Sequence, residues 1–266
     1  MPKFLLAALA AFALLSPALA QTAGKPYPPV AASYDRAAED DADLAQLMKI
    51  LRNAAQAKDT TSFEATISPG FVALDCSASP LKPCGPGKAR AVGGEATRKQ
   101  KPFERMRLAF CCEGKPAPDM PDEAKNDTAF AILGATLGAN SIGANPDAKG
   151  QVCAPALPAF DRARAAKAAR AAGVEPENLR VAHADIQLYA RPARGAAPSA
   201  KLAPGDLAPV VTDLTTDTPA GWTAIGLPDG SIGFTNALGL EELTPAAICF
   251  AREKGVWRIV STIQRN

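Results

Sequence analysis

The sequence predicts an α+β fold in which a mixed, disulfide-containing N-terminal region is followed by a small antiparallel β-barrel and a C-terminal hairpin. Near the N-terminus, Leu44, Leu47, Met48 and Leu51 recur at the spacing of one buried helix face. After Leu179, short β-branched and aromatic runs are separated by turns and by no helical pattern, which indicates a small barrel or sandwich. The composition, 47% apolar and 21% charged, is that of a globular protein.

The first twenty residues are predicted to be an export signal. Lys3 precedes an apolar stretch at 4–15, a Ser16-Pro17 break and the Ala-x-Ala pattern at 18–20. A helix over the apolar stretch would rise about 18 Å, which is short of the roughly 30 Å of a bilayer core. We therefore expect cleavage between Ala20 and Gln21, and a periplasmic or secreted protein that does not span a membrane.

The rest of the chain divides into four predicted segments. They are a flexible, proline-containing leader at 21–38, an α+β region with most of the cysteines at 39–155, a helical connector at 156–178, and the barrel with its terminal hairpin at 179–266. The first helix follows acidic residues from Asp40 and ends near Lys58. An alanine- and arginine-rich run that stops at Gly173 predicts the connector helix.

Strands are predicted wherever short β-branched or aromatic runs lie between turns after residue 179. These runs are Ile186–Tyr189, Leu207–Val211, Trp222–Leu227, Ile232–Phe234, Ile248–Phe250 and Val256–Ile263. The last two form a hairpin around Lys254-Gly255, in which Trp257, Ile259 and Ile263 are expected to share one face.

Export would place six cysteines in an oxidising compartment, where disulfides are the expected state. The candidates are Cys76, Cys84, Cys111, Cys112, Cys153 and Cys249. Cys76 and Cys84 enclose a short loop with two prolines, which favours a local bridge. The adjacent Cys111 and Cys112 would form a strained ring together, so we expect one to pair with Cys153 and the other with Cys249. The sequence does not choose among the fifteen possible connectivities.

Charge and residue counts exclude several classes of function. There are 29 basic and 27 acidic residues, and a net charge of +2 predicts no nucleic-acid partner. The single histidine, His183, excludes metal sites that need two imidazoles, and the Cys-x2-Cys pairs of a zinc site are absent. The Ser-x-x-Lys pattern at Ser79 and Lys82 lacks the helix and the companion motifs of penicillin-recognising enzymes. We predict no metal, no cofactor and no catalytic residue.

One segment, residues 82–107, is strongly basic in an otherwise neutral protein. Besides Lys82 it contains Lys88, Arg90, Arg98, Lys99, Lys101, Arg105 and Arg107, against only Glu95 and Glu104. One interpretation is a surface for an anionic partner, such as a wall polymer, a lipopolysaccharide or an acidic protein. The alternative, which the composition favours, is a solvated loop balanced by nearby acids such as Asp122 and Asp127.

The order of residues from about 183 to 243 resembles a bacterial Src-homology-3-like domain. The matching features are a strand with an Arg/Pro corner at Ile186–Pro192, a leucine and turn at Leu202 and Gly205-Asp206, a tryptophan at Gly221-Trp222, a glycine turn before an aromatic at Asp229-Gly230 and Phe234, and Leu240. The resemblance implies a small antiparallel barrel. It also implies that this half binds a cell-wall component or another protein and does not catalyse a reaction.

Within that resemblance, the candidate ligand-binding residues are Tyr189, Trp222 and Phe234, together with Arg191. An exposed aromatic ring can stack on a sugar or a proline. The alternative for Trp222 and Phe234 is that they fill the core of the small barrel.

Residues 40–75 resemble, more weakly, the opening of a nuclear-transport-factor-like fold, which implies a small-ligand pocket beneath the first helices. The sequence thus supports two main functions, besides that of a purely structural protein whose partner recognises the disulfide-stapled surface. The first is a non-enzymatic envelope protein whose barrel binds a cell-wall polymer or an envelope protein. The alternative is a periplasmic enzyme or small-molecule binder with its pocket in residues 40–155 and the barrel as a targeting arm.

Overall fold

A computed structural model of the chain describes residues 24–93, 99–110, 120–139, 141–212 and 218–264. The predicted signal peptide and its cleavage site, Arg98 of the basic segment, and Cys111 and Cys112 lie outside the described residues. The part of the chain that is described is a mixture of helices and strands, which confirms the α+β class. It contains no helix that is both long and apolar enough to cross a membrane.

The elements are numbered here in chain order. They are β1 (Ala32–Ser33), α1 (Ala42–Ala57), α2 (Thr60–Thr66), β2 (Ile67–Asp75), β3 (Arg90–Ala91), α3 (Pro102–Phe110), α4 (Asp122–Gly138), β4 (Gly143–Ala144), β5 (Gln151–Ala154), β6 (Ala159–Phe160), α5 (Arg162–Ala172), β7 (Leu179–Ala182), β8 (Ile186–Tyr189), β9 (Pro198–Leu202), β10 (Leu207–Pro209), β11 (Thr223–Gly226), β12 (Ile232–Thr235), β13 (Leu240–Glu242), β14 (Ala247–Glu253) and β15 (Val256–Gln264). Short 3-10 turns at Ala37–Asp40 and Pro176–Asn178 precede α1 and β7.

Helices α1 to α4 pack on a six-stranded sheet with the order β3-β2-β15-β14-β5-β4. The first helix forms where it was predicted, because Asp41 caps its start by accepting a hydrogen bond from the Leu44 amide. Between the helices and the sheet, the rings of Phe63, Phe103 and Phe130 lie 5.6 to 6.2 Å apart. These rings are almost fully buried, so the layer between helices and sheet is a packed core.

The terminal hairpin belongs to this sheet, which corrects its predicted place in the barrel segment at 179–266. Strand β14 pairs antiparallel with β5, and β15 pairs parallel with β2. Ile248, Phe250 and Ile259 of the hairpin are fully buried in the same core as Phe63. An alternating strand pattern shows that one face is buried but does not show which helices bury it. The hairpin therefore closes the N-terminal unit and completes it from the far end of the chain.

The second half contains two smaller sheets, with the orders β10-β7-β13 and β11-β12-β8-β9. They enclose a core that includes Ile186, Leu188, Leu202 and Ile225. In the described part of the chain, an antiparallel bridge between Val210 and Ile225 joins the two sheets. The described strands are thus antiparallel, as predicted, but they do not close into a barrel.

The predicted flexible leader is ordered over the described residues from Gly24, which is a second correction. Tyr27 and Val30 are buried, and β1 pairs with β6. The Leu207 amide donates to the Val30 carbonyl at 3.0 Å. Prolines lower the chain entropy lost on ordering, and they do not prevent an extended segment from packing. Residues 24–33 therefore form a strap across the second half.

Helix α5 is also part of a core and does not act as a bare connector. It ends at Gly173 in the left-handed conformation, as the sequence predicted, and Asp161 caps its start. Its small buried residues, Ala165, Ala168 and Ala169, pack in one cluster with Tyr27, Val30, Leu179, Val181, Leu207 and Leu243. Alanines allow a helix to approach its neighbours closely, so the segment at 156–178 is integrated with the second half.

The four described cysteines form two disulfides. The predicted local bridge between Cys76 and Cys84 is confirmed. The expectation that Cys153 and Cys249 pair with the adjacent cysteines is wrong, because they pair with each other. They are directly opposite residues of β5 and β14, with Cα atoms 4.0 Å apart. Strand register, which spacing along the chain does not show, determines this pairing.

An acid-sensitive contact joins the hairpin to α1. The Asp41 carboxylate accepts hydrogen bonds from Arg252 at 2.9 Å and from the Trp257 indole at 3.1 Å. The hydrogen bond from Arg252, followed by that from the Leu44 amide, lowers the pKa of Asp41 from 3.8 to about 2. A pKa that is lower in the folded state stabilises the protein above about pH 4, and this stabilisation is lost as the pH falls towards 2.

We expect the stability difference between the unmodified chain and an Asp41→Asn variant to shrink as the pH is lowered from 5 to 2. The measurement is urea unfolding across this range. Asp161→Asn, which alters the cap of α5, is the matched control. If the free energy of unfolding changes with pH by the same amount in the unmodified chain and in Asp41→Asn, the contact does not have this role.

Candidate functional site

The register of the second half brings three predicted site residues to one sheet face. Phe234 of β12 lies directly opposite Tyr189 of β8 and Ala224 of β11. Directly opposite residues of antiparallel strands point to the same side of a sheet. Trp222 comes two residues before Ala224, and side chains two positions apart in extended chain share a face. The strands therefore assemble an aromatic face from three separate segments.

Two of these rings form a pair that is open to solvent. The rings of Tyr189 and Trp222 are 5.8 Å apart and nearly perpendicular, at 81°. This is the edge-to-face arrangement that the aromatic quadrupole favours. Both side chains are partly exposed, whereas Phe234 is only 7% exposed. Phe234 is thus buried, although it lies outside the apolar cluster of this half, and Tyr189 and Trp222 remain accessible.

The opposite face of the same sheet carries the apolar core. Ile186, Leu188 and Ile225 belong to that core and alternate along the strands with the aromatic positions. Among the described residues, none of the four apolar clusters includes Tyr189, Trp222 or Phe234. The aromatic face is therefore additional to the packing that holds the two sheets together.

Arg191 adds a cation close in the chain to Tyr189. It lies in the turn that follows β8, two residues after Tyr189, and its side chain is exposed. Within the described part of the chain it forms no ion pair. An unpaired guanidinium can donate two parallel hydrogen bonds to a carboxylate.

The described residues of the basic segment have different surroundings and do not form one continuous surface. Arg105 donates to the carbonyls of Phe71 and Pro69. Arg107 contacts Glu104 at 2.6 Å and Asp122 at 3.6 Å, as the charge-balanced interpretation expects.

Lys101 lies near Glu64, at 3.9 Å, and Lys99 is exposed. Lys88 and Arg90 instead line a cavity at the Cys76–Cys84 loop, together with Lys82. Lys82 was recognised in the sequence as part of the basic segment and of the Ser-x-x-Lys pattern, but only the folded loop places it at one cavity with the other two.

The resemblance of residues 40–75 to a nuclear-transport-factor-like fold implies a pocket beneath the first helices. The packed rings of Phe63, Phe103 and Phe130 fill the space where α2, α3 and α4 meet. A cavity of about 500 Å³ lies between α1 and α4 and is lined by residues that include Arg52 and Asp127.

The single histidine, His183, is exposed, and its Nδ1 lies 3.3 Å from the Glu241 Oε1. The described residues contain no group of three or more His, Cys, Asp or Glu side chains arranged to hold a metal ion.

Comparisons with known proteins found no relative of this chain. No protein-family model matches the chain, and no curated protein and no solved structure is significantly similar to it.

Proposed function

We propose that this chain is a non-enzymatic protein of the bacterial cell envelope that binds a cell-wall component through the aromatic face of its Src-homology-3-like half. The observation that carries the proposal is the Tyr189–Trp222 pair, which is partly exposed on a sheet face that the core does not use. A protein partner of the envelope would use the same surface.

The geometry of the pair suits ligands with flat, weakly polar faces. In an edge-to-face pair, one ring presents its edge to its neighbour, and ring surface remains open for a further contact. Sugar rings and prolines offer such faces. The buried Phe234 supports the pair from β12, directly opposite Tyr189. Arg191 would bind the carboxylates that wall peptides carry.

Two further observations support an envelope location. The N-terminal sequence has the three-part pattern of an export signal. The described residues contain two disulfides, which are typical of proteins in an oxidising compartment.

The proposal predicts that the chain from Gln21 to Asn266 sediments with purified cell-wall sacculi at both low and high salt. Stacking contacts are screened little by salt, unlike surface ion pairs. Trp222→Ala is expected to weaken this binding by about tenfold, because it removes a large contact that costs little conformational entropy. Tyr189→Ala should have a similar effect. The measurement is the bound fraction as a function of sacculus concentration.

Leu238→Ala is the matched control. Leu238 is 99% exposed in the same half of the protein, so this change also removes exposed apolar surface but leaves the aromatic face intact. If sacculus binding is lost at high salt and is not weakened by Trp222→Ala, the basic residues and not the aromatic pair bind the sacculi. Absence of sedimentation at both salt concentrations would contradict wall binding.

A further inference from the structure

A cavity of about 300 Å³ lies at the loop closed by the Cys76–Cys84 disulfide. It is in the N-terminal half and is separate from the aromatic face. Three cations line it, namely Lys82, Lys88 and Arg90. The hydroxyl-bearing side chains Ser77 and Ser79 line it as well. These five side chains come from the disulfide loop and from the chain that leads into β3.

The cavity carries an excess of positive charge. Its one lining carboxylate, Asp75, is bound by Arg90 and by the Ser77 amide. Three cations and one carboxylate leave a formal local charge of +2. Lys82 forms no ion pair within the described residues. All three cations are exposed, so they can reach an anion that enters the cavity, and the excess positive charge attracts one.

The nearest additional acid does not neutralise the cluster. Asp147 accepts a hydrogen bond from the Cys84 amide at 2.7 Å and pairs with Arg162 at 2.6 Å. Lys88 reaches only the backbone carbonyl of Asp147, at 3.4 Å. The Asp147 carboxylate therefore holds the loop in place, and among the described residues Lys82 and Lys88 have no carboxylate partner.

We propose that this cavity binds a phosphate group. A phosphate monoester carries a charge of about −1.5 to −2 at neutral pH, which matches the local excess, whereas a carboxylate would neutralise only half of it. Its several oxygens can accept hydrogen bonds from ammonium, guanidinium and hydroxyl donors that approach from different sides. The cavity is larger than one phosphate group, so it also has room for part of the molecule that carries it.

The loop is held in position before any ligand binds. The disulfide joins its two ends, and the amides of Lys88 and Ala89 both donate to the Gly85 carbonyl at 3.0 Å. A Cβ atom at Gly85 would lie 2.6 Å from the Asp147 carbonyl oxygen, so only glycine allows the loop to pack this closely. Because the backbone of the loop is already ordered, anion binding costs no entropy for ordering the loop itself.

The test is calorimetric titration of the chain from Gln21 to Asn266 with inorganic pyrophosphate, at low and at physiological ionic strength. We expect saturable binding that weakens with salt. Lys82→Ala and Lys88→Ala should each weaken it about tenfold, as loss of one charge-assisted contact would. Lys167→Ala removes an equal charge from the exposed side of α5 and should leave binding unchanged.

Two outcomes would overturn the proposal. One is the absence of pyrophosphate binding at low ionic strength. The other is equal weakening in Lys82→Ala and Lys167→Ala, which would indicate general charge attraction. Urea unfolding of each variant verifies that it is folded.

The same titration with vesicles identifies the source of the phosphate. If vesicles containing phosphatidylglycerol bind in a Lys82-dependent manner and neutral vesicles do not, the group belongs to a lipid headgroup. If pyrophosphate alone binds, the group belongs to a soluble molecule. Either result supports the phosphate site, and neither depends on the sacculus experiment with Trp222→Ala.

Discussion

Replacing both Cys153 and Cys249 by alanine is expected to lower the free energy of unfolding by about 4 to 5 kcal/mol. The two cysteines are 96 residues apart in the chain and are fully buried between β5 and β14. A cross-link that closes so long a loop removes much of the entropy of the unfolded chain. The same bridge fixes the terminal hairpin in the N-terminal sheet, so its loss should also favour detachment of β14 and β15.

The Cys76→Ala/Cys84→Ala double variant is the matched comparison, because its cysteines are only 8 residues apart. The same relation gives about 2.5 kcal/mol for a loop of this length. Urea unfolding of both variants measures the difference in the free energy of unfolding. In each variant, the disulfide that was not replaced stays intact. If the short-loop variant loses as much stability as the long-loop variant, loop-closure entropy is not the main contribution of the buried bridge.

The elements that could be predicted from the sequence are those that neighbouring residues determine. Helix α1 follows from the spacing of its leucines and from the acidic cap, and α5 ends at Gly173 because only a few residue types adopt the left-handed conformation there. The Cys76–Cys84 bridge is equally local. Each of these features depends on a short window of chain, and the pattern within that window specifies it.

The features that were missed depend on contacts between distant segments. Cys153 meets Cys249 only because β5 and β14 pair in a particular register. The predicted common face of Trp257, Ile259 and Ile263 is also interrupted, since the register shifts along β15. Ile259 therefore faces the helical core, while Ile263 lies in the cluster around the disulfides.

The same division applies to the candidate sites: local patterns in the sequence indicated some residues, and contacts between distant segments decided the rest. The family resemblance pointed to Tyr189, Trp222 and Phe234 because they occupy recurring positions in a local order of strands and turns. It did not show that Phe234 would be buried while the other two stay accessible. The phosphate cavity could not be found from charge alone, because the basic segment divides between structural arginines and the cations beside the disulfide loop.

The strap formed by residues 24–33 connects the early chain to the half that carries the aromatic face. The Tyr27 amide donates to the Pro228 carbonyl at 3.1 Å, and the Tyr27 hydroxyl donates to the Gly226 carbonyl at 2.9 Å. Gly226 is the last residue of β11, the strand that Trp222 precedes. The strap therefore supports the sheet on which the aromatic pair is built.

Tyr27→Ala is accordingly expected to lower the free energy of unfolding by about 3 to 5 kcal/mol, as truncation of a buried aromatic side chain does. Tyr27 is only 5% exposed, and its ring packs with Val30 and with residues of α5. Tyr27→Phe keeps the ring and removes one hydrogen bond, so it should lower stability by only about 1 kcal/mol. Urea unfolding of both variants separates the contribution of the ring from that of the hydroxyl.

The pH dependence of the free energy of unfolding gives an independent measure of the burial of Tyr27. Desolvation raises the pKa of Tyr27 above its usual value of 10.0, and the nearby Asp206 and Asp229 raise it further. The contribution of Tyr27 is then complete below pH 10 and is lost as the pH rises above that value, because the unfolded chain ionises first. We expect this alkaline loss to be smaller in Tyr27→Phe. If Tyr27→Ala changes stability by less than about 0.5 kcal/mol, as an exposed substitution would, residues 24–33 are the flexible leader that their prolines suggested.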